Sequence, residues 1–250
     1  MLARQIRFWL SLFAVVFLVA PCSLAQHFDI FLARPASGSQ TIIGGADVDE
    51  LSYDDVTRIF EVELGTVAGE FIALEPGVNH PNIHDPGLAA YPASAAGLQP
   101  GDVLRLRKRE FTLDSTTSEL FYWDGTGGVS FAPAAAGFRI DLGDPLPSTA
   151  GPGGAFDDHP FLVVDSDALS GIYLASVYGI VDGFEPSQPV YLVMGTIGLD
   201  DLHEKLELAA EYVHRALVVP EPATLGLAAM VCCLLFVRVS RWQRCVMEAR

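Results

Sequence analysis

Between residues 26 and 219 the apolar positions come in short runs, cut every few residues by Gly, Pro, Asp or Asn. Runs of β-branched and aromatic residues predict strands at Phe28–Arg34, Thr41–Ile43, Thr57–Gly65, Glu70–Leu74, Asp102–Leu113 and Glu119–Trp123. Further strands are predicted at Val129–Ala132, Phe138–Leu142, Pro160–Asp165, Gly171–Val181 and Pro189–Met194. Alternation is clearest from Arg58 to Leu64. There Phe60, Val62 and Leu64 fall on one face and Ile59, Glu61 and Glu63 on the other, the pattern of a half-buried antiparallel strand. Asp124-Gly125-Thr126-Gly127-Gly128 reads as a hairpin loop joining Leu120–Trp123 to Val129–Phe131. Many short strands with frequent turn signals predict a mainly β domain, an antiparallel sandwich. Ser148–Asp158 is the best internal break and is read as a long surface loop rather than a linker, because each half is small for a cysteine-free β domain. The period changes once. From Asp200 to Ala216, residues Leu202, Leu206, Ala209, Ala210 and Val213, with Leu217 just beyond, share one helical face, and Asp201 with Glu204 resembles a capping box.

The two ends follow a different pattern. Arg4 and Arg7 precede a mostly apolar stretch, Phe8 to Ala20, and small residues at Ser23 and Ala25 mark cleavage after Ala25. This is the anatomy of a secretion signal over residues 1–25. A lipoprotein reading through Cys22 is weakened by Pro21 before it. At the other end, Pro220-Glu221-Pro222 leads into an uncharged run, Ala223 to Val237, and then Arg238, Arg241 and Arg244. Fifteen helical residues reach roughly 22 Å, short of a bilayer core of roughly 30 Å, so the predicted transmembrane helix over 223–237 is marginal in length. The arginines set its topology by staying on the cytoplasmic side, with Trp242 at the interface.

Charge sharpens the picture of the region between. The chain carries net charge −16, but nine of its 15 Lys+Arg and 29 of its 31 Asp+Glu lie in residues 26–219, which are therefore near −20. Such a surface is soluble and self-repelling and is no partner for nucleic acid. It would tolerate Ca²⁺, although no ion site is legible, and no other cofactor is implied. All four cysteines, Cys22, Cys232, Cys233 and Cys245, fall outside the domain. An exported domain without disulfides needs a sizeable core, and this length provides one.

The triplet Pro220-Glu221-Pro222, the apolar run and the basic cluster, in that order, resemble the PEP-CTERM sorting signal of Gram-negative bacteria. The resemblance covers only the tail, residues 220–250, and here Cys245 to Arg250 extend past the usual end. It implies export, recognition by an exosortase-type membrane transpeptidase, processing near the motif, and a setting in which extracellular polysaccharide is made. A second resemblance is to exported planctomycete proteins with this tail. It rests on His27-Phe28-Asp29-Ile30, Tyr122-Trp123-Asp124-Gly125, His159-Pro160-Phe161-Leu162, Gly171-Ile172-Tyr173-Leu174 and Ser187-Gln188-Pro189. That family implies an architecture and no activity.

Four constellations carry candidate chemistry. His80 and His84, with Asp85, have metal-ligand spacing, which His159 or Asp157 would complete, but Pro81 and Pro86 favour ordinary loop histidines. His27 would suit an N-terminal copper chelate only if cleavage followed Gln26. Arg105, Arg107 and Arg109 alternate onto one strand face, with Lys108 opposite. They would contact an acidic polysaccharide or, the preferred reading, pair across strands with Glu61 and Glu63. Tyr122 and Trp123 point to opposite faces, so at most one is free to stack on a sugar, and Trp123 is the candidate. No nucleophile elbow, P-loop, dinucleotide fingerprint or Cys-x-x-Cys occurs. The expectation is a non-enzymatic protein of the cell surface or matrix, passing through an inner-membrane intermediate and working with exopolysaccharide. The alternatives are a carbohydrate-binding module and a metal-dependent glycan-active enzyme.

Overall fold

The computed structural model describes residues 29–47, 52–80, 92–141, 148–165 and 168–218. It is mainly β with one α-helix. Along the chain come β1 (Asp29–Pro35), β2 (Ile42–Asp47), β3 (Ser52–Tyr53), β4 (Ile59–Val67), β5 (Glu70–Ala73), β6 (Val78–His80) and β7 (Ala95–Ala96). Next are β8 (Val103–Lys108), β9 (Phe111–Leu113), β10 (Thr116–Ser118), β11 (Leu120–Trp123), β12 (Ala132–Pro133) and β13 (Phe138–Asp141). The last strands are β14 (Ser148–Thr149), β15 (Phe156–Asp158), β16 (Phe161–Val164), β17 (Ile172–Val181) and β18 (Val190–Thr196), followed by α1 (Leu202–Val213) and a π-helical turn, His214–Val218.

The strands form two main sheets. The smaller runs β15–β6–β1–β2–β3, with β7 also on β1. The larger runs β12–β11–β17–β18–β4–β5–β16–β13. β17 is long enough for two partners on one edge: its first half pairs with β11 and its second half with β8. The larger sheet curls, because β13 returns beside β8 and the Lys108 ammonium donates to the Phe138 carbonyl at 3.0 Å. Most pairings are antiparallel as expected, but β18 runs parallel to β4 and β1 parallel to β6.

The alternation of side chains along β17 sorts the core into two parts. Tyr173, Ala175, Val177 and Val181 face inward with Phe60, Val62 and Leu64 of β4, Leu104 and Leu106 of β8, and Ile30, Leu32 and Ile43 of the smaller sheet. One apolar cluster thus joins both sheets. They approach closely at Gly179, where a Cβ would lie 2.2 Å from the Leu32 side chain, so any other residue would force them apart. Ile172 and Leu174 face outward with Phe121, Trp123 and Val193, and α1 covers them with Leu206, Ala209 and Val213. Those three helix positions are the predicted apolar stripe. Gly195 admits the helix, since a Cβ there would meet Leu202 at 2.3 Å.

Local departures from expectation have local causes. The predicted strand over 102–113 is broken after Lys108, and β9 pairs with β10 as a separate hairpin. Its two-residue turn, Asp114-Ser115, has φ of 47° and 67°, a twist usually signalled by Asn-Gly, which is absent here. The hairpin off β11 forms, but its return strand is β12 rather than 129–132. The 148–158 stretch is no plain loop: β14 pairs with β8, β15 pairs with β6, and Ala150 and Phe156 enter the core. Asp201 is left-handed (φ 54°) and makes no side-chain cap, so the expected capping box does not form. Among the described residues no helix is long and apolar enough to cross a membrane. The predicted span at 223–237, like the leader and the whole tail, lies outside the described residues.

Candidate functional site

The outer face of β17 continues beyond the helix as a strip flanked by β8. Register places Arg105 opposite Ile180 and Arg107 opposite Tyr178, while the Arg109 amide donates to the Ser176 carbonyl at 3.0 Å. The three arginines therefore share one face, as the alternation predicted. Their partners differ from the expected ones. Arg105 forms an ion pair with Asp182, at the far end of β17. Glu61 and Glu63 lie on β4, separated from β8 by β17 and β18, so the predicted cross-strand pairs with the arginines are not made. Arg107 and Arg109 are exposed and have no carboxylate partner among the described residues. Arg109 sits near Tyr191, whose hydroxyl is pushed above its ordinary pKa by burial, with the arginine's charge working in the opposite direction. Tyr178 and Ile180, opposite Arg107 and Arg105, are half-buried.

The other six arginines and lysines among the described residues all face acidic groups. Arg34 meets Asp102 at 3.7 Å, Lys108 meets Glu119 at 2.6 Å, and Arg139 bridges Glu70 and Asp165 at 2.9 and 2.8 Å. Arg58 lies against Asp54 and Asp55, Lys205 near Asp124, and Arg215 is 4.0 Å from Glu211. In so acidic a domain the unpaired couple, Arg107 and Arg109, stands out chemically. Two guanidinium groups at alternate strand positions, roughly 7 Å apart at the backbone, present forked donors to carboxylates spaced along a chain.

A second gathering lies at the edge where β1, β6 and β15 meet. Asp29, only 8% exposed, accepts from the Gly77 amide at 2.8 Å. Glu75 accepts from the same amide at 3.0 Å, which brings its charge close to Asp29. His159 continues the chain, with Nδ1 3.3 Å from Glu75 and Nε2 3.4 Å from Asp157. Burial pushes the Asp29 carboxyl up to about 6, the Gly77 amide opposes this, and the Glu75 charge adds to it. Tyr53 is also pushed up, by burial and by the charges of Asp29 and Asp157. The Asp29 carboxyl can therefore hold a proton in mildly acidic solution. Sequence reasoning named Asp157 and His159 and missed Asp29, Glu75 and Tyr53. No local signal joins positions 29, 53, 75 and 159, and only strand pairing does.

The remaining candidates are placed differently from expectation. His80 is 1% exposed; its Nε2 accepts from the Leu98 amide at 3.3 Å and its ring stacks on Phe31 at 5.7 Å. It is a buried histidine on β6 rather than on a loop. No three His, Cys, Asp or Glu side chains among the described residues are arranged to hold a metal ion. His84, Asp85 and His27 lie outside the described residues. Trp123 is 3% exposed under α1, and its Nε1 donates to the Thr126 carbonyl at 3.1 Å. A buried indole has no face for a sugar, so that contact is withdrawn. Tyr122 points inward against Tyr173 (5.1 Å) and donates to the Ser170 carbonyl at 2.8 Å. Comparison with family models, with curated proteins and with solved structures found no match.

Proposed function

We propose that this chain is an exported surface or matrix protein, sorted by an exosortase-type enzyme and associated with exopolysaccharide. Its β-sandwich-like domain acts by binding rather than by catalysis. The observation that carries the reading is the ordered tail: Pro220-Glu221-Pro222 for recognition, residues 223–237 for membrane insertion, and Arg238, Arg241 and Arg244 for topology. A leader over residues 1–25 complements it. The domain between supports it by having no cysteine and one core shared by two sheets, so its folding does not depend on the redox state of the compartment. The test is the intact mass of the mature protein from native cells, fraction by fraction, with both terminal peptides sequenced. The expected product begins after Ala25, ends near Pro220–Pro222 and is found at the surface or in the matrix. A product ending at Arg250 in the membrane fraction would reduce the tail to a plain anchor and sink the sorting reading. The carbohydrate-binding alternative is favoured by one observation, the unpaired Arg107 and Arg109.

A further inference from the structure

We infer that the strip formed by Arg107, Arg109 and Tyr178 binds an acidic polysaccharide, one bearing carboxylates at intervals along its chain. The inference rests on the reading of this domain as an exported binding protein and names its ligand class. It starts from what the molecule does with its other cations. Six of them, together with Arg105, face acidic groups, although Asp and Glu outnumber Lys and Arg by 29 to nine in residues 26–219. Two exposed arginines without a carboxylate among the described residues are therefore the exception. They are held in line by the strand, not by side-chain flexibility: Arg107 is in register with Tyr178, and the Arg109 amide is fixed to the Ser176 carbonyl. The uncharged neighbours on β17, Ser176, Tyr178 and Ile180, leave the guanidinium groups nothing to neutralise them from that side.

The chemistry selects among polyanions. Charges further apart than a Debye length of about 8 Å at physiological salt are largely screened. A short carboxylated sugar chain laid along the strip therefore meets the arginines at contact range, while most of the acidic remainder is screened from it. A double-stranded nucleic acid places phosphates much more densely, about one per 1.7 Å of axis, and most of them would face a surface near −20. Tyr178, half-buried and in register with Arg107, adds an aromatic ring of the kind that packs on a pyranose face.

The test uses the full chain in a non-ionic detergent, titrated into fluorescently labelled oligogalacturonate and followed by anisotropy. Controls are a neutral oligosaccharide of equal length and a single-stranded oligonucleotide of equal charge. Saturable binding of oligogalacturonate is expected, weakening as NaCl is raised, with no saturation for the neutral sugar. The double variant Arg107→Gln/Arg109→Gln should bind about tenfold more weakly, and Arg215→Gln, in the π-helical turn after α1, as wild type. Should the double variant lose its thermal unfolding transition, each single variant decides instead, with an expected loss of about threefold. Wild-type protein that does not saturate, arginine variants that bind undiminished, or tighter binding of the oligonucleotide would each overturn the inference. None of these outcomes bears on the position of the mature C-terminus, so the sorting reading stands or falls separately.

Discussion

The cluster around Asp29 and the strip around Arg107 handle charge in opposite ways. At Asp29, two carboxyls share one backbone donor, and an imidazole sits between two acids. Like charges are tolerated there because burial keeps the Asp29 carboxyl protonated up to about pH 6. At Arg107 and Arg109, like charges stand side by side with no proton to lose, and solvent carries the cost. The difference follows from topology. Three strands converge at the first place and bring side chains from residues 29 to 159 together. At the second, β8 is flanked by uncharged β17 residues, and the acidic strand β4 lies two strands further away. A chain rich in acids does not neutralise its cations unless strand order delivers them.

The largest effect tests where the arginine strip ends. Trp123 lies on the same outward face of the sheet but under the helix, beside Phe131 at 6.5 Å. Trp123→Ala should cost about 4 kcal/mol of stability, as a large buried aromatic does, read from the urea midpoint. The folded fraction should still bind oligogalacturonate as wild type does. A variant of unchanged stability with lost binding would make Trp123 part of the ligand surface and dissolve the boundary drawn here.

The next effect belongs to the Asp29 cluster. Its carboxyl is raised from 3.8 to about 6 in the folded state, so the native protein holds a proton that the unfolded chain has released. That contribution is fully present below pH 4 and is lost as pH rises through 6, amounting to about 3 kcal/mol. Asp54 works in the reverse sense. Burial raises its carboxyl, but donors from Thr57, Val56 and Gly45 outweigh burial and hold it below its ordinary range, so its contribution is lost on acidification. Asp29→Asn keeps an acceptor for the Gly77 amide and removes the titration. Wild type should lose stability relative to this variant between pH 4 and 7 in parallel denaturation curves. Curves that keep a constant separation would show that Asp29 holds no such proton.

How much of this was legible beforehand divides along the same line. The strands β1, β4, β5, β11, β16, β17 and β18 followed from short runs of β-branched and aromatic residues between turn residues, β4 from alternation as well, and the helix stripe from its 3.6-residue period, because these patterns are local. The shared face of Arg105, Arg107 and Arg109 was legible for the same reason. Their partners were not, since Glu61 and Glu63 match them in charge while strand order decides who meets whom. Trp123 read as a sugar platform because alternation says that Tyr122 and Trp123 face apart and not that α1 covers the outward one. His80 read as a loop residue because the prolines after it hid the short β6, whose pairing with β15 buries it. The Asp29 cluster had no sequence signature at all.

A smaller effect lies at the inner margin of the arginine strip. Ser176 is fully buried beneath it, and its hydroxyl has no hydrogen-bond partner among the described residues. A buried polar group without a partner costs free energy, so Ser176→Ala should raise stability by about 1 kcal/mol. The measurement is the shift in the urea midpoint at constant slope. A loss of stability would mean that the hydroxyl has a partner, and that the strip is better satisfied than its arginines indicate.

The smallest effect puts the comparison to its most direct use, by making the second region resemble the first. Tyr178 faces Arg107 in register, so Tyr178→Glu would place a carboxylate where topology supplies none. A cross-strand pair of opposite charge contributes about 0.5 kcal/mol, and losing part of the Tyr178 packing offsets some of that gain. Net stability should therefore change little, while binding of oligogalacturonate should fall by about tenfold or more, because the new carboxylate competes for the same guanidinium and repels the ligand. The equally placed Tyr178→Gln separates charge from the loss of the ring: it removes the aromatic surface without supplying a counter-ion. If both variants weaken binding equally, the tyrosine ring rather than the free arginine governs the strip. If neither does, Arg107 is unpaired only because no neighbour on β17 carries a charge, and the contrast between the two regions ends at the fold.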